Sequence, residues 1–526
     1  MAEDNETDEH EGAPRRPVLW PYAVGAGVAA LVLRVPFRSS LPLTWDSVQY
    51  CLAIRHYNIE LHQPHPPGYF LYAYCGKLIH ALGAAPYAGL VGLSLVAGAI
   101  MAGVLAWWAG KLEGKWAALA TGALAVVSPL AWSHATTGDT YALSGMLGAL
   151  VAALCWKVYT SAWGGLSSPP SGEEAAPARA GKPAPRGGEY ADVALSALAL
   201  AVTAGVRPTD AAFLLPLWLY CVARRGGRAL ALGGAALVAV TAAWALPMLR
   251  VTGGLARYLE ISHRFSAAEL HVSPWAPGQA GWAELGIMGL AALSVLFSAW
   301  PLVPLARGSQ LSRAWLFLAL WLGPAVAFLI AVPLATPGHL MVLAPAPLLL
   351  AGLGLSRLRA GPQGGVRAGM LLGVVVLLNA GFLKLTVVDG HQEQERDLRT
   401  IQAACAPYAT PDTAVLATLG VAHAAHADLS FRTAMYLLPE CHVFLLPLAA
   451  PGTEGGIANE GFRMESSIDR PPVRVPARRA LVDASLLKLM HGFPPPRLVV
   501  SNDQGEFWLV ETPSGVVLEA GAIRSL

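Results

Sequence analysis

Charge is scarce in this chain. Only 13% of its 526 residues are Asp, Glu, Lys or Arg, against about a quarter in a typical soluble domain. Hydrophobic residues make up 55% and the mean hydropathy is +0.48, so the polar surface needed to cover a water-soluble globule is missing. A net charge of +2, with no basic stripe, argues against nucleic acid as a partner. The six cysteines include no CxxC pair, which removes the usual zinc signatures. The Gly pairs at 233–234 and 253–254 lack a following Lys-Ser/Thr, so they are not nucleotide loops. What is present is a long series of apolar runs, which mark the chain as a polytopic membrane protein.

Runs able to cross about 30 Å of hydrocarbon are expected at 18–36, 87–110, 116–135, 140–160, 190–206, 208–223, 229–250, 282–305, 314–335, 338–356 and 368–387. Residues 1–17 form an acidic, disordered cytoplasmic tail ending near Arg15 and Arg16. That start resembles a signal peptide, but no small-residue cleavage site follows Leu33, so the first run is an uncleaved anchor. The stretch 66–84 is interrupted by Lys77 and His80 and crowded with Tyr69, Phe70, Tyr72 and Tyr74 at one end. Aromatics and a snorkelling Lys suit a helix lying at the interface. With 66–84 outside the count, the loops holding Lys111 and Lys115, Arg179 to Arg186, Arg224 to Arg228, Arg307 and Arg313, and Arg357 to Arg367 all share the side of Arg15 and Arg16. The positive-inside rule then puts the N-terminus inside and the C-terminus outside.

The expected fold is a polytopic α-helical membrane protein of about eleven transmembrane helices with a small C-terminal α/β domain. The membrane domain is 18–387, with an external loop at 37–86 and a Pro/Gly/Ser/Ala-rich cytoplasmic linker at 163–189. Residues 388–526 begin with a polar helix (HQEQERDLRTIQAAC) and continue with β-type runs AVLATL, HVFLLPL, RLVVSN and FWLVE, giving an external α/β domain. Cys155 and Cys221 are packing residues within spans. Cys405 and Cys441 both fall in the external domain, where a disulfide is one option and free thiols the other.

The outward-facing segments carry the residues that need explaining: TWDSVQY (44–50), HQPHPPGY (62–69), SHATTGDTYAL (133–143), GVRPTD (205–210), TGGLARYLEISHRF (252–265) and TPGHL (336–340). Asp46 is either a helix cap or a general base or metal ligand at the membrane surface. Asp139 offers the same choice, cap or partner acid. His65, stiffened by Pro64, Pro66 and Pro67 with Gly68 next, is a phosphate or metal group or an imidazole packed at the interface. Arg207 sits three residues from Asp210, which alone accounts for a local ion pair. Arg207, Arg264 and His339 otherwise form the cationic side of a phosphate site, and Tyr69 and Tyr141 belong to the same substrate-binding set.

In this order the motifs resemble the GT-C superfamily of membrane glycosyltransferases, and most of all family 39 with its bacterial protein O-mannosyltransferase-like members. The resemblance rests on one span, a long external loop with an early Asp (WDSVQY), an HPPGY interface helix, and an acid-Tyr-Ala-Leu segment (GDTYAL) two spans later. It covers roughly 18–260, and it departs from the pattern at Asp139, which stands one residue further back with Thr140 between. The resemblance implies inverting transfer of a sugar from a polyprenyl-phosphate carrier to an acceptor hydroxyl of a protein, lipid or glycan. Asp46 and Asp139 would be the catalytic acids, and a divalent metal at Asp46 and His65 is the one cofactor it raises. The Ala- and Gly-rich composition suggests a bacterial inner membrane, which would make the external C-terminal domain periplasmic. The rival readings are a transporter or flippase, which would place ionisable residues at the bilayer midplane, and a non-catalytic scaffold.

Overall fold

The computed structural model describes residues 18–161, 187–269, 299–332, 337–360, 363–417, 431–445, 473–503, 505–519 and 522–525, with a few residues between 286 and 294. Helix α1 is Trp20–Arg34. Two short helices follow, α2 (Trp45–Arg55) and α3 (Phe70–Ala81). The main bundle continues with α4 (Pro86–Glu113), α5 (Lys115–Val127), α6 (Pro129–Ala135), α7 (Tyr141–Ser161), α8 (Gly187–Val206), α9 (Pro208–Ala223) and α10 (Gly227–Thr252). The amphipathic α11 (Leu255–Glu269) comes next, then α12 (Trp315–Ala331), a tight turn at Pro337–Val342, α13 (Pro345–Arg359), α14 (Gly364–Leu383) and the polar α15 (Asp389–Cys405).

Among the described residues, five helices are long and apolar enough to cross a membrane, or six if the bent pair α5 and α6 is one span. Residues 190–206, Pro208–Ala223 and Trp315–Ala331 form apolar helices shorter than that length, and the expected span at 282–305 lies mostly outside the described residues. The expected eleven spans are therefore not reached by length and composition alone. The linker at 163–189 and the tail at 1–17 also lie outside the described residues, apart from the start of α8. The long helices divide by burial: α4 and α7 are largely enclosed, while α10 and α14 turn Val238, Leu246, Met370 and Leu377 outward. Apolar helices with unburied apolar faces are stable only with lipid as their outer solvent. The protein is an integral membrane protein. At its centre Trp108, Trp218 and Trp321 are fully buried, and the Trp108 and Trp321 rings lie 5.5 Å apart.

The break between α5 and α6 shows how the bundle handles a charge. Pro129 cannot donate to the preceding turn, and the chain bends there by 59°. Unpaired carbonyls at the end of α5 would be costly in a buried setting. Arg34, fully buried at the end of α1, donates Nη2 to the carbonyls of Ala125 (2.9 Å) and Val126 (3.0 Å). A cation there also complements the helix C-terminus.

Helix α3 has 12 residues, or about 18 Å of rise, too short to cross. It starts at Phe70 because Tyr69 is left-handed (φ 41°) and Pro66 and Pro67 precede it. Lys77 rests over the Tyr74 ring at 4.9 Å.

The C-terminal region is α/β. A five-stranded sheet runs β2-β1-β4-β7-β6 and a four-stranded sheet β3-β8-β9-β5. In chain order these are β1 (Thr413–Ala417), β2 (His442–Leu445), β3 (Val473–Val475), β4 (Arg479–Asp483), β5 (Met490–His491), β6 (Arg497–Asn502), β7 (Gly505–Glu511), β8 (Val516–Glu519) and β9 (Ala522–Ser525). β1 is parallel to both β2 and β4 and buried on both faces, as a central strand that is apolar after Thr413 should be. Helix α16 (Phe431–Leu437) lies in the connection from β1 to β2. This region shares a core with the segment before α2: Leu43 is buried with Leu398, Ile401 and Phe507, and Gln394 Nε2 donates to the Leu43 carbonyl at 2.8 Å. Cys405 and Cys441 are both free thiols here.

Candidate active site

Three segments meet at one end of the bundle: the start of α2, the proline-rich turn before α3, and the turn between α6 and α7. Thr44 is the N-cap of α2, its hydroxyl accepting from the Ser47 amide at 3.1 Å. That leaves Asp46 in the first helical turn, where the helix dipole favours a carboxylate. The residue expected as a possible cap is thus displaced from the cap by Thr44, and its carboxylate faces the site.

Asp139 is not a simple cap either. It is almost fully buried and accepts from Ser47 Oγ (2.7 Å), Thr44 Oγ1 (2.8 Å) and Thr137 Oγ1 (3.2 Å). These bonds tie the α6–α7 turn to the α2 N-terminus. Burial, and secondarily the Asp46 carboxylate, pushes the Asp139 carboxyl up to about 6, against the pull of the three hydroxyls. Asp46 stays partly open, with Tyr141 Oη donating to its Oδ2 at 3.4 Å and His65 Nδ1 3.7 Å from its Oδ1.

His65 is held from three sides. Its backbone amide donates to Gln49 Oε1 at 2.9 Å, and its Nδ1 lies 2.7 Å from the same oxygen. That oxygen can only accept, so the ring proton is assigned to Nδ1, and Nε2 accepts from Tyr69 Oη at 3.0 Å. Burial lowers the imidazole's pKa, the Asp46 carboxylate opposing and Arg207 and Arg432 reinforcing it. Gly68 completes the turn at φ 103°, where a Cβ would fall 2.7 Å from Tyr57 Oη.

Arg207, at the junction of α8 and α9, is almost fully buried behind the tyrosines. Its Nε faces Asp210 Oδ1 at 3.4 Å, Nη1 donates to Thr140 Oγ1 at 3.1 Å, and Nη2 lies 2.6 Å from His339 Nδ1. The guanidinium also stacks over Tyr141 (4.5 Å) and Tyr69 (5.8 Å). His339 is held neutral by burial first and Arg207 next, so its Nδ1 accepts. Gly338 lets the chain approach Tyr141: a Cβ there would sit 2.3 Å from the ring.

Arg264 is not brought into this group. It is half-exposed on α11 and paired with Glu260 four residues back, although Phe265 of the same helix reaches the His65 ring at 5.7 Å.

Asp46, Asp139 and Tyr141 border a cavity of about 650 Å³, with His65 and Arg207 behind them. Its polar end is Thr44, Asp46, Ser133, His134, Asp139 and Tyr141, and its apolar wall includes Leu130, Leu290, Phe382 and Val387. A mostly apolar cleft of this size with one polar end suits an amphiphile with a polar head and a hydrocarbon chain.

The donor set does not make a metal cage. Among the described residues no three His, Cys, Asp or Glu side chains converge. His65 presents a proton on the nitrogen that faces Asp46, and Asp139 is committed to three hydroxyls. The expected metal site at Asp46 and His65 is thus reduced to one carboxylate.

No family model matches the chain, and no curated protein does. Among solved structures, ArnT from Cupriavidus metallidurans bound to undecaprenyl phosphate superposes with a TM-score of 0.59, covering 93% of this chain and 97% of that one at 13% identity. The apo state of ArnT gives 0.57 over the same shares at 15% identity. The chain shares the fold of ArnT along nearly its whole length. Archaeal oligosaccharyltransferase AglB from Archaeoglobus fulgidus matches at a TM-score of 0.49, 12% identity, over 95% of this chain and 76% of its own.

Several site residues carried little sequence signal. Thr44 and Ser47 form a T-x-x-S cap pattern, and Gln49 stands one turn beyond Asp46, so both were findable by spacing. His134 lines the cavity within the SHATTGDTYAL motif, its ring 4.9 Å from Tyr141. Arg432 had none, since it reaches the site from α16, nearly 400 residues further along the chain.

Proposed function

We propose that this protein transfers a sugar from a polyprenyl-phosphate carrier to an acceptor hydroxyl at the outer face of the membrane, with inversion at the anomeric carbon. The observation that carries the reading is the placement of Asp46 at the polar mouth of a cavity whose other wall is apolar, in a fold shared with a protein that binds undecaprenyl phosphate.

Asp46 is the base. It is the open carboxylate of the pair, fixed by the α2 turn, and it accepts the proton of the attacking hydroxyl. That hydroxyl forms the new bond to the sugar's anomeric carbon as the bond to the carrier phosphate breaks. Asp139 is a positioning acid, holding Thr44 and Ser47 and hence the first turn of α2. The departing phosphate meets the hydroxyls of Tyr69 and Tyr141 and the His65 ring, with the buried Arg207 charge behind them. In a low-dielectric site such fixed donors count for far more than in water. The basic loops support an orientation with the N-terminus cytoplasmic and the C-terminal α/β domain, 388–526, periplasmic, in a bacterial inner membrane. The acceptor is a protein, lipid or glycan, and mannose is the first sugar to try, from the family 39 resemblance.

The test is direct. Purified protein in lipid vesicles is incubated with labelled polyprenyl-phosphate sugars, and carrier cleavage and transfer are followed. Carrier movement across the bilayer with the sugar bond intact would instead favour the flippase reading.

A further inference from the structure

We propose that Arg432, from the C-terminal α/β region, is a positioning residue of the membrane site, clamping together the two segments that carry Asp46 and His65.

The side chain is fully buried although it belongs to α16, outside the bundle. Its guanidinium lies over the Trp45 ring at 5.0 Å, and its Nη1 donates to the carbonyl of His62 at 2.7 Å. Trp45 is the residue before Asp46 and lines the cavity. His62 opens the turn that carries His65 three residues on, and it is a non-glycine residue at φ 54°, a conformation held only by its surroundings. One rigid, planar cation thus bridges the start of α2 and the turn before His65, and a lysine could make the charge but not the stack and fork together. The surroundings agree: the His62 ring packs edge-on to Phe265 at 5.5 Å, and Phe265 also meets His65. Burial lowers the pKa of Arg432 to about 9, with the Asp46 carboxylate opposing that fall. A second contact between the same helices, Arg55 over the Tyr436 ring at 5.9 Å, docks α16 on α2 through neither Trp45 nor His62, which provides a control.

The inference rests on the transfer reading only for its catalytic consequence, so its test has two readouts in the full-length protein. The first is hydrogen exchange of the amides of residues 57–65. Arg432→Met and Arg432→Lys are expected to speed their exchange, while Tyr436→Leu leaves it at the wild-type rate. The second is transfer in vesicles with a labelled undecaprenyl-phosphate sugar. There kcat falls roughly 10- to 100-fold in Arg432→Met, the scale set by an ångström of misplacement, with KM within about twofold. Unchanged exchange in Arg432→Met, or equal exchange in Arg432→Met and Tyr436→Leu, overturns the clamp whatever the activity. Faster exchange confined to the Arg432 variants upholds it, even if the wild type proves inactive on every donor, a result that would instead sink the transfer reading.

Discussion

The most decisive single change is Asp46→Asn. Asparagine keeps the shape and hydrogen-bonding reach of the side chain but cannot accept a proton at neutral pH. The structure shows few other roles for this carboxylate: the Tyr141 bond is long at 3.4 Å, the His65 contact is 3.7 Å, and the side chain is 24% exposed. Folding should therefore change little, with a melting temperature within a few degrees of wild type, equivalent to less than about 1 kcal/mol. Loss of a general base costs about 10²- to 10⁴-fold in rate, or ~3–5 kcal/mol of transition-state stabilisation. The assay is transfer from a labelled polyprenyl-phosphate sugar in vesicles, with kcat and KM measured separately. Since the proton is taken as the bond forms, the loss should fall on kcat and leave donor KM nearly unchanged. An Asp46→Asn protein retaining wild-type kcat would refute the assignment of the base, and a large drop in melting temperature would recast Asp46 as a structural residue.

Three further outcomes follow from the same geometry. The Asp139 carboxyl stands at about 6 instead of 3.8 in the folded protein; such a raised group favours folding at low pH and loses that advantage as pH rises through its folded value, so wild type should weaken relative to Asp139→Asn between about pH 4 and 7 by ~3 kcal/mol at most, and parallel melting curves across that range would contradict it. Arg34→Leu strips the donors from the Ala125 and Val126 carbonyls and should destabilise the protein by about 1–3 kcal/mol, measured as thermal unfolding in detergent; wild-type stability would show that the α5 end needs no partner. In a background without native cysteines, an impermeant thiol reagent added outside should label cysteines placed near residues 60 and 450 but not near 175, and the reverse pattern would invert the topology and the proposed face of catalysis.

Much of the architecture lay in composition and hydropathy. A chain this poor in charge must put apolar surface in lipid, and each backbone in lipid must bond to itself, so helices were obligatory wherever long apolar runs occurred. The start of the short α3 was legible because Pro66 and Pro67 precede it. The strands β6 and β7 matched their RLVVSN and FWLVE runs. The count of spans was less accessible, since length and composition leave α8, α9 and α12 below the crossing criterion.

The sequence by itself determined the solvent of this protein, the helical class, and the motifs in which Asp46, His65, Asp139 and Tyr141 stand, because those follow from local composition and spacing. Only the tertiary structure set the surroundings of the two acids apart. Asp46 and Asp139 look alike in sequence, each near a helix start; the three hydroxyls and the burial that hold Asp139, and the opening that leaves Asp46 at the cavity, arise from segments some 90 residues apart. Arg207, read from sequence as a partner of Asp210 or a phosphate ligand, is also a buried support for Tyr141, and Arg432 reaches Trp45 from another part of the chain. Burial and long-range partners set a group's protonation and freedom, and neither is encoded within a few residues of the group itself.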